Sequence, residues 1–222
     1  MEKRKIIFGT YDTARDGLWT LTGWSFGDAP LRENYVEVPG RDGDLDLSAA
    51  LTDGEPRYGS RTLTATFESS EGSRLDREGV INTMTNWLDG WRMNIVLPDD
   101  ADHYVTGRVR VQRNYNDPAH AAVTVTAVCD PWRYLNRETI TQLTAGATTE
   151  MAILPNFGRK TVVPVLTISG DGANVLLAVD GASWALGPGV YQLPDLTVPQ
   201  GGKIINYSGT GELSFVYREA LL

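Results

Sequence analysis

The side chains of this chain best suited to metal binding or to general acid–base work are 28 carboxylates, two histidines and one cysteine. His103 has the most suggestive neighbours. It ends the run Asp99-Asp100-Ala101-Asp102-His103, and three carboxylates beside an imidazole are donor types for a divalent cation. The run falls between two expected strands, where a solvated acidic loop explains it more simply. His120, in Asn116-Asp117-Pro118-Ala119-His120, reads as a loop histidine. A Ser-His-Asp triad would need one of these two imidazoles, and no Gly-x-Ser-x-Gly elbow is present. The run Asp42-x-Asp44-x-Asp46 imitates the opening of a calcium loop. Leu47 and Asp53 then stand where that loop needs glycine and glutamate, so a hairpin turn explains the run better. Cys129 precedes Asp130-Pro131 with none of the basic neighbours that make a thiolate, and reads as a small buried hydrophobe. There is no P-loop and no Gly-x-Gly-x-x-Gly after a strand. A glycosidase needs two carboxylates about 5–10 Å apart, and nothing singles out a pair. Trp184, Tyr191 and Tyr207 are placed to stack on sugar rings or to fill a sandwich core and rim. These templates assign no catalytic, cofactor-binding or metal-ligating residue.

The elements that would carry such residues are mostly strands. In the first part they are expected at Ile6-Phe8, Trp19-Trp24, Tyr35-Val38, Leu45-Leu47, Thr62-Phe67, Met93-Leu97, Tyr104-Val111 and Ala122-Val128. Thr62 to Phe67 alternates cleanly, with Leu63, Ala65 and Phe67 on one face and threonines on the other. Asp42-Gly43 is the expected tight turn between Tyr35-Val38 and Leu45-Leu47. One helix is expected from Arg74 to Asp89. Ser73 is its N-cap, with Asp76 completing a near capping box, and Gly90 is its left-handed stop. Val80, Ile81, Met84, Trp87 and Leu88 form its apolar stripe. The second part reads as all-β: Val162-Ile168, Asn174-Val179, Val190-Leu193, Lys203-Tyr207 and Glu212-Tyr217 alternate with glycine-rich turns. Those turns include Gly170-Asp171-Gly172 and Gly209-Thr210-Gly211. Strands at this spacing predict a sandwich or jelly roll.

Composition narrows the function classes. The chain has 222 residues, 41% of them hydrophobic, enough for one large or two small cores. Charge thins along it: 36 of residues 1–135 are charged against 12 of 136–222. The change near Pro131-Trp132-Arg133-Tyr134 places an expected domain boundary between 135 and 136. A net charge of −8, with only Lys3-Arg4-Lys5 as a basic cluster, argues against generic nucleic-acid binding. Arginine outnumbers lysine 16 to 4, which fits interface use as well as coding bias. No apolar run approaches the roughly 18 residues of a membrane span. Ile6-Ile7-Phe8 is too short for a signal-peptide core. A lone cysteine is expected of a chain made in a reducing cytoplasm.

Several separated segments, taken in order, resemble the distal tail (Dit) proteins of siphophages. They are Val36 to Leu47 (VEVPGRDGDLDL), Tyr58-x-x-Arg61, Trp87-Leu88-Asp89-Gly90, Leu97-Pro98-Asp99-Asp100, Tyr104-x-x-Gly107-Arg108-Val109 and Cys129-Asp130-Pro131-Trp132-Arg133-Tyr134. Asn156-Phe157-Gly158 before Pro164-Val165-Leu166-Thr167-Ile168, and the closing Tyr217-Arg218-Glu219-Ala220-Leu221-Leu222, complete the set. The resemblance covers most of the chain and is strongest over 34–134. It implies a mainly β protein: an N-terminal sandwich or barrel-like domain with one amphipathic helix over 1–135, and a C-terminal galectin-like β-sandwich (jelly roll) over 136–222, whose last strand returns toward the first domain.

The same resemblance implies a structural, non-enzymatic part of a phage or prophage virion, sited at the tail tip and made in the bacterial host cytoplasm. N-terminal domains would form a hexameric ring continuing the tail tube, with a negatively charged or neutral lumen through which DNA only passes. C-terminal domains would point outward. Implied partners are other copies of the chain, the tail tube protein, a tail-associated lysin or hub protein, and receptor-binding or baseplate proteins; no cofactor and no membrane are implied. Two other readings stand beside it: a carbohydrate-binding module acting through the C-terminal sandwich, and a wall glycosidase.

Overall fold

A computed structural model of the chain describes residues 4–16, 19–50, 54–69, 74–114 and 121–222. It is mainly β and divides into two compact units, Met1–Arg133 and Tyr134–Leu222. The first unit contains β1 (Ile7–Phe8), β2 (Tyr11–Asp12), α1 (Thr13–Asp16), β3 (Thr20–Phe26), β4 (Tyr35–Val36), β5 (Leu45–Asp46), β6 (Arg61–Ser69), α2 (Arg74–Leu88), β7 (Arg92–Leu97) and β8 (Asp100–Asn114). β9 (Ala121–Leu135) runs to the boundary.

The main sheet of this unit has the order β2-β1-β7-β8-β9-β6-β3 and curls into a half-barrel. Alternation decides its inner face, because successive side chains of a strand point to opposite sides. Leu63, Ala65 and Phe67 of β6 and Val123, Val125, Ala127 and Cys129 of β9 are buried together with Ile95 and Val105. α2 lies against this face through Ile81, Met84 and Leu88. The helix ends where glycine was expected to stop it: Gly90 takes a φ of +81° and donates its N–H to Val109 O at 2.8 Å. Ser73, the expected cap, lies outside the described residues.

The expected stripe of α2 is too wide by one residue. Trp87 is 57% exposed. At 100° per residue it sits about 90° from the centre of the Ile81-Met84-Leu88 face, and it leans on Tyr11 instead, with ring centroids 6.5 Å apart.

The second unit contains β10 (Thr139–Ala145), β11 (Glu150–Leu154), β12 (Val165–Val179), β13 (Ala182–Leu186), β14 (Gly189–Gln192), β15 (Lys203–Tyr217) and β16 (Ala220–Leu221). β12 and β15 are 15-residue strands paired along most of their length. Each changes its outer neighbour midway. β15 pairs β11 through Lys203–Tyr207 and β10 through Gly211–Tyr217, and β12 pairs β14 first and β13 second.

Two glycine triplets read as turns in the sequence therefore lie inside strands. The register shifts between Ser169 and Asn174, so Gly170-Asp171-Gly172 is a bulge. Gly209 has a φ of +119°, and a Cβ there would stand 2.0 Å from Asn174 O. Glycine marks a place where two backbones cross closely rather than a chain reversal. The bend folds the sheet over one core: Val175, Leu177, Ile205 and Tyr207 come from one half, Leu166, Ile168, Leu213 and Phe215 from the other.

Candidate assembly site

Most of the described residues with chemical potential are absorbed by the fold. The acidic run at 99–103 is not a loop. Only Pro98-Asp99 turn the chain, and Asp100 already belongs to β8, opposite Leu97. The Asp100 carboxylate takes His103 Nδ1 at 2.5 Å on one oxygen and an Arg133 N–H at 3.1 Å on the other. Among the described residues, no group of three His, Cys, Asp or Glu side chains is arranged to hold a metal. His120 and Asp53 lie outside the described residues. Cys129 is buried, and burial, with Asp130 adding to it, pushes its thiol up to about 11. Trp184 and Tyr191 pack against the core of the second unit. Tyr207 is buried in it and donates its hydroxyl to Glu150 Oε2 at 2.9 Å.

The Asp42-Asp44-Asp46 segment belongs to a β-ribbon that projects from the edge of the main sheet. β3 and β6 pair antiparallel, and their continuations stay linked beyond the sheet. Gly27 N donates to Thr62 O at 3.0 Å, Gly59 N to Pro30 O at 2.7 Å and Arg32 N to Arg57 O at 2.8 Å. Farther out β4 and β5 form a separate two-stranded ladder, Tyr35 opposite Asp46 and Val36 opposite Leu45. Arg61 clamps the root: its Nε donates to Gly27 O at 2.7 Å while its guanidinium lies 4.0 Å over the Phe26 ring.

The tip differs from the two-residue Asp42-Gly43 turn expected of it. With Val36 opposite Leu45, residues 37–44 form the loop. The tight turn is three residues earlier, where Arg41 N donates to Val38 O at 3.2 Å across Pro39-Gly40. Gly40 has a φ of +84°, and proline followed by a positive-φ glycine is the type II signature. Proline also lacks the N–H that would extend the ladder.

The ribbon has no core. Leu31, Tyr35, Val36 and Leu47 are all exposed, Tyr35 by 53%. Its charge is acidic: over residues 28–48, Asp28, Glu33, Glu37, Asp42, Asp44 and Asp46 stand against Arg32 and Arg41.

At the β1–β7 side of the same sheet is an open apolar groove of about 490 Å³. Phe8, Met93, Trp87, Trp91 and Arg92 line it, and Trp91 is 64% exposed. Arg92 stands opposite Arg108 on the neighbouring strand. Asp130 accepts from Arg92 at 2.5 Å, while Arg108 donates to the neutral Gly90 carbonyl at 2.6 Å and so keeps its charge.

The face of the main sheet opposite the core is hydroxyl-rich. Thr62, Thr64 and Thr66 of β6 lie across from Val128, Thr126 and Thr124 of β9. Thr106 donates to Asn94 Oδ1 at 3.0 Å nearby.

Sequence reasoning missed one buried polar cluster, in the second unit. Glu219 is buried, and its carboxylate accepts from Phe157 N (2.7 Å), Gly158 N (3.1 Å) and Thr139 Oγ1 (2.7 Å). Asn156, fully buried, donates to Lys160 O and Val198 O and accepts from Gly158 N. This clasp ties Asn156-Phe157-Gly158 to the closing strand. Phe157, whose N–H it holds, projects with 81% exposure. The signal was present only as two separate pieces, Asn-Phe-Gly and Tyr-Arg-Glu-Ala, 60 residues apart.

No protein-family model matches the sequence, and no curated protein matches it. The fold is that of a phage tail-hub protein. A solved structure that shares it is SPP1 Dit (gp 19.1), described as a paradigm of the hub adsorption apparatus in phages infecting Gram-positive bacteria. The two superpose with a TM-score of 0.69 over 96% of this chain and 98% of the other, at 13% sequence identity.

Proposed function

We propose that this chain is a structural hub component of a phage or prophage tail tip and acts by assembly rather than catalysis. One observation carries the reading: the fold is shared with a hub protein over nearly the whole of both chains, with both units represented. The candidate residues His103, Asp100, Cys129, Trp184, Tyr191 and Tyr207 support it, since they are engaged in packing or in internal hydrogen bonds.

In this reading the first unit builds a ring of six copies between the tail tube and the baseplate. The threonine rows of β6 and β9 give its sheet an uncharged stretch suited to a lumen, because hydroxyls let a polyanion pass without holding it, while Arg92 and Arg108 stand on the same face at β7 and β8. The second unit, a galectin-like sandwich, carries receptor-binding or baseplate proteins. Its outer face offers Met151, Ile153 and Ile204 as an exposed apolar row, with Ile153 directly opposite Ile204. A carbohydrate-binding role has lost its main support, because the three aromatics considered for it face or fill the core.

Negative-stain microscopy of the purified protein tests the proposal. Rings with an open centre are expected. Isolated single copies that retain immobilised cell-wall glycan would overturn it in favour of the lectin reading.

A further inference from the structure

We propose that the root of the ribbon is an oxyanion site, with Arg32 and Arg57 as its clamp and a phosphate group as its ligand. The site goes beyond the assembly reading and does not depend on ring closure.

Register brings the two arginines together. The β3–β6 pairing sets Phe26 opposite Leu63, and the same register continues outward to the bridge between Leu31 and Tyr58. One step farther Arg32 N donates to Arg57 O at 2.8 Å, so Arg32 stands opposite Arg57. Opposed side chains of an antiparallel pair share a face, and like charges so placed weaken the ladder. An anion between them removes that cost. Six acids lie between residues 28 and 48, yet neither guanidinium has a hydrogen bond or an ion pair among the described residues. Alternation explains why. Tyr35 stands opposite Asp46, and the charges of Glu33 and Asp46 both bear on Tyr35, so these acids occupy the other face. Arg32, Arg57, Asn34, Ser48 and Glu33 line a pocket of about 690 Å³, with two cations against one acid.

Arg61 supplies a second, independent observation. It lies four residues along from Arg57, on the same side by alternation, and is only 8% exposed. Its Nε donates to Gly27 O, but its buried Nη1 has no acceptor among the described residues. Asp28 bears on it electrostatically without an ion pair. Buried donors are rarely left so, and the face therefore carries more cationic donors than the chain supplies acceptors. Guanidinium forks match the oxygens of phosphate and carboxylate. Two facing forks offer more donors than the two oxygens of one carboxylate use, and a phosphate dianion also matches the charge of the pair. A free phosphate and a nucleic-acid phosphate share this chemistry.

Titration calorimetry of the full chain with inorganic phosphate, at fixed ionic strength in chloride, tests the site. Saturable binding is expected. Arg32→Gln and Arg57→Gln should each weaken it roughly 10- to 100-fold, as loss of charge-assisted hydrogen bonds does. Both positions are exposed, and either variant serves if the other folds poorly. Arg57→Lys keeps the charge but not the fork and should weaken binding less than Arg57→Gln. Arg137→Gln, at an exposed position of the second unit, should leave it unchanged. Competition by a single-stranded oligodeoxynucleotide would support the site with a nucleic-acid phosphate as its source, and phosphate binding without competition would support it with free phosphate. No saturable binding, or an equal loss in Arg137→Gln, would overturn the proposal and leave the assembly reading standing.

Discussion

The ribbon of the first unit and the clasp of the second are both held by hydrogen bonds between distant parts of the chain, yet they differ in what surrounds the bonds. Around the clasp, Asn156 and Glu219 are buried, and the bonds from Asn156 to Val198 O and from Gly158 N to both side chains are buried with them. Along the ribbon, backbone bonds join exposed residues, and the apolar side chains Leu31, Tyr35, Val36 and Leu47 are exposed as well. A bond in a water-excluded setting is costly to lose, because its partner is left desolvated and unpaired. An exposed bond exchanges with water at little net cost. The clasp is thus finished within one chain, whereas the ribbon's apolar side chains stay exposed in it.

Substitutions should separate the two regions widely. Glu219→Ala leaves Phe157 N–H and the Thr139 hydroxyl without their acceptor, while Gly158 N–H keeps Asn156, and should cost about 1–3 kcal/mol, measured by denaturant unfolding. A loss below about 0.5 kcal/mol would mean the clasp is no more demanding than the ribbon. Gly209→Ala, at the strand bend, forces a Cβ against Asn174 O at a φ of +119°. It should cost about 2–4 kcal/mol and lower the yield of folded protein.

Alkaline titration sharpens the contrast through two tyrosines. Burial pushes the Tyr217 phenol up to about 12. Stability contributed by the neutral phenol is complete below the unfolded value near 10 and is lost as pH rises from there through about 12. Tyr35, on the ribbon, is raised by the charges of Glu33 and Asp46. Salt should screen the Tyr35 shift and leave that of Tyr217 in place, as followed by ultraviolet titration at low and high ionic strength. An equal salt response would show that the two sites are not electrostatically different. The smallest effect is expected at the ribbon: Tyr35→Ser should change unfolding free energy by no more than about 0.5 kcal/mol in denaturant unfolding.

Much of the first unit was legible because period-2 alternation is strong where one sheet face is buried. Leu63-Ala65-Phe67 and Val123-Val125 declared their strands and their inner face without ambiguity. The helix was legible for the same reason, apart from Trp87, whose size suggested burial that its angle on the helix does not allow. The second unit was harder. Glycine is a strong turn signal, but at Gly170–Gly172 and Gly209–Gly211 it permits a bulge and a close backbone crossing inside continuous strands. β10, β11 and β13 were passed over: Thr139–Ala145 is mostly half-exposed, and its apolar residues are diluted by threonine and glutamine. At the ribbon, Asp42-Gly43 drew attention away from Pro39-Gly40, where the reversal occurs. The clasp was illegible because a buried glutamate has no local pattern; only the fold brings Glu219 to Asn156. The groove was illegible, because Trp87 read as part of the core stripe and the exposure of Trp91 is decided only by the fold.

The central claim is that this chain works by joining copies of itself into a closed ring. Sedimentation velocity over a dilution series tests it most directly. The account predicts one closed species of fixed stoichiometry, six copies, whose mass stays constant until it dissociates to single chains. A single-chain mass at every concentration would contradict it.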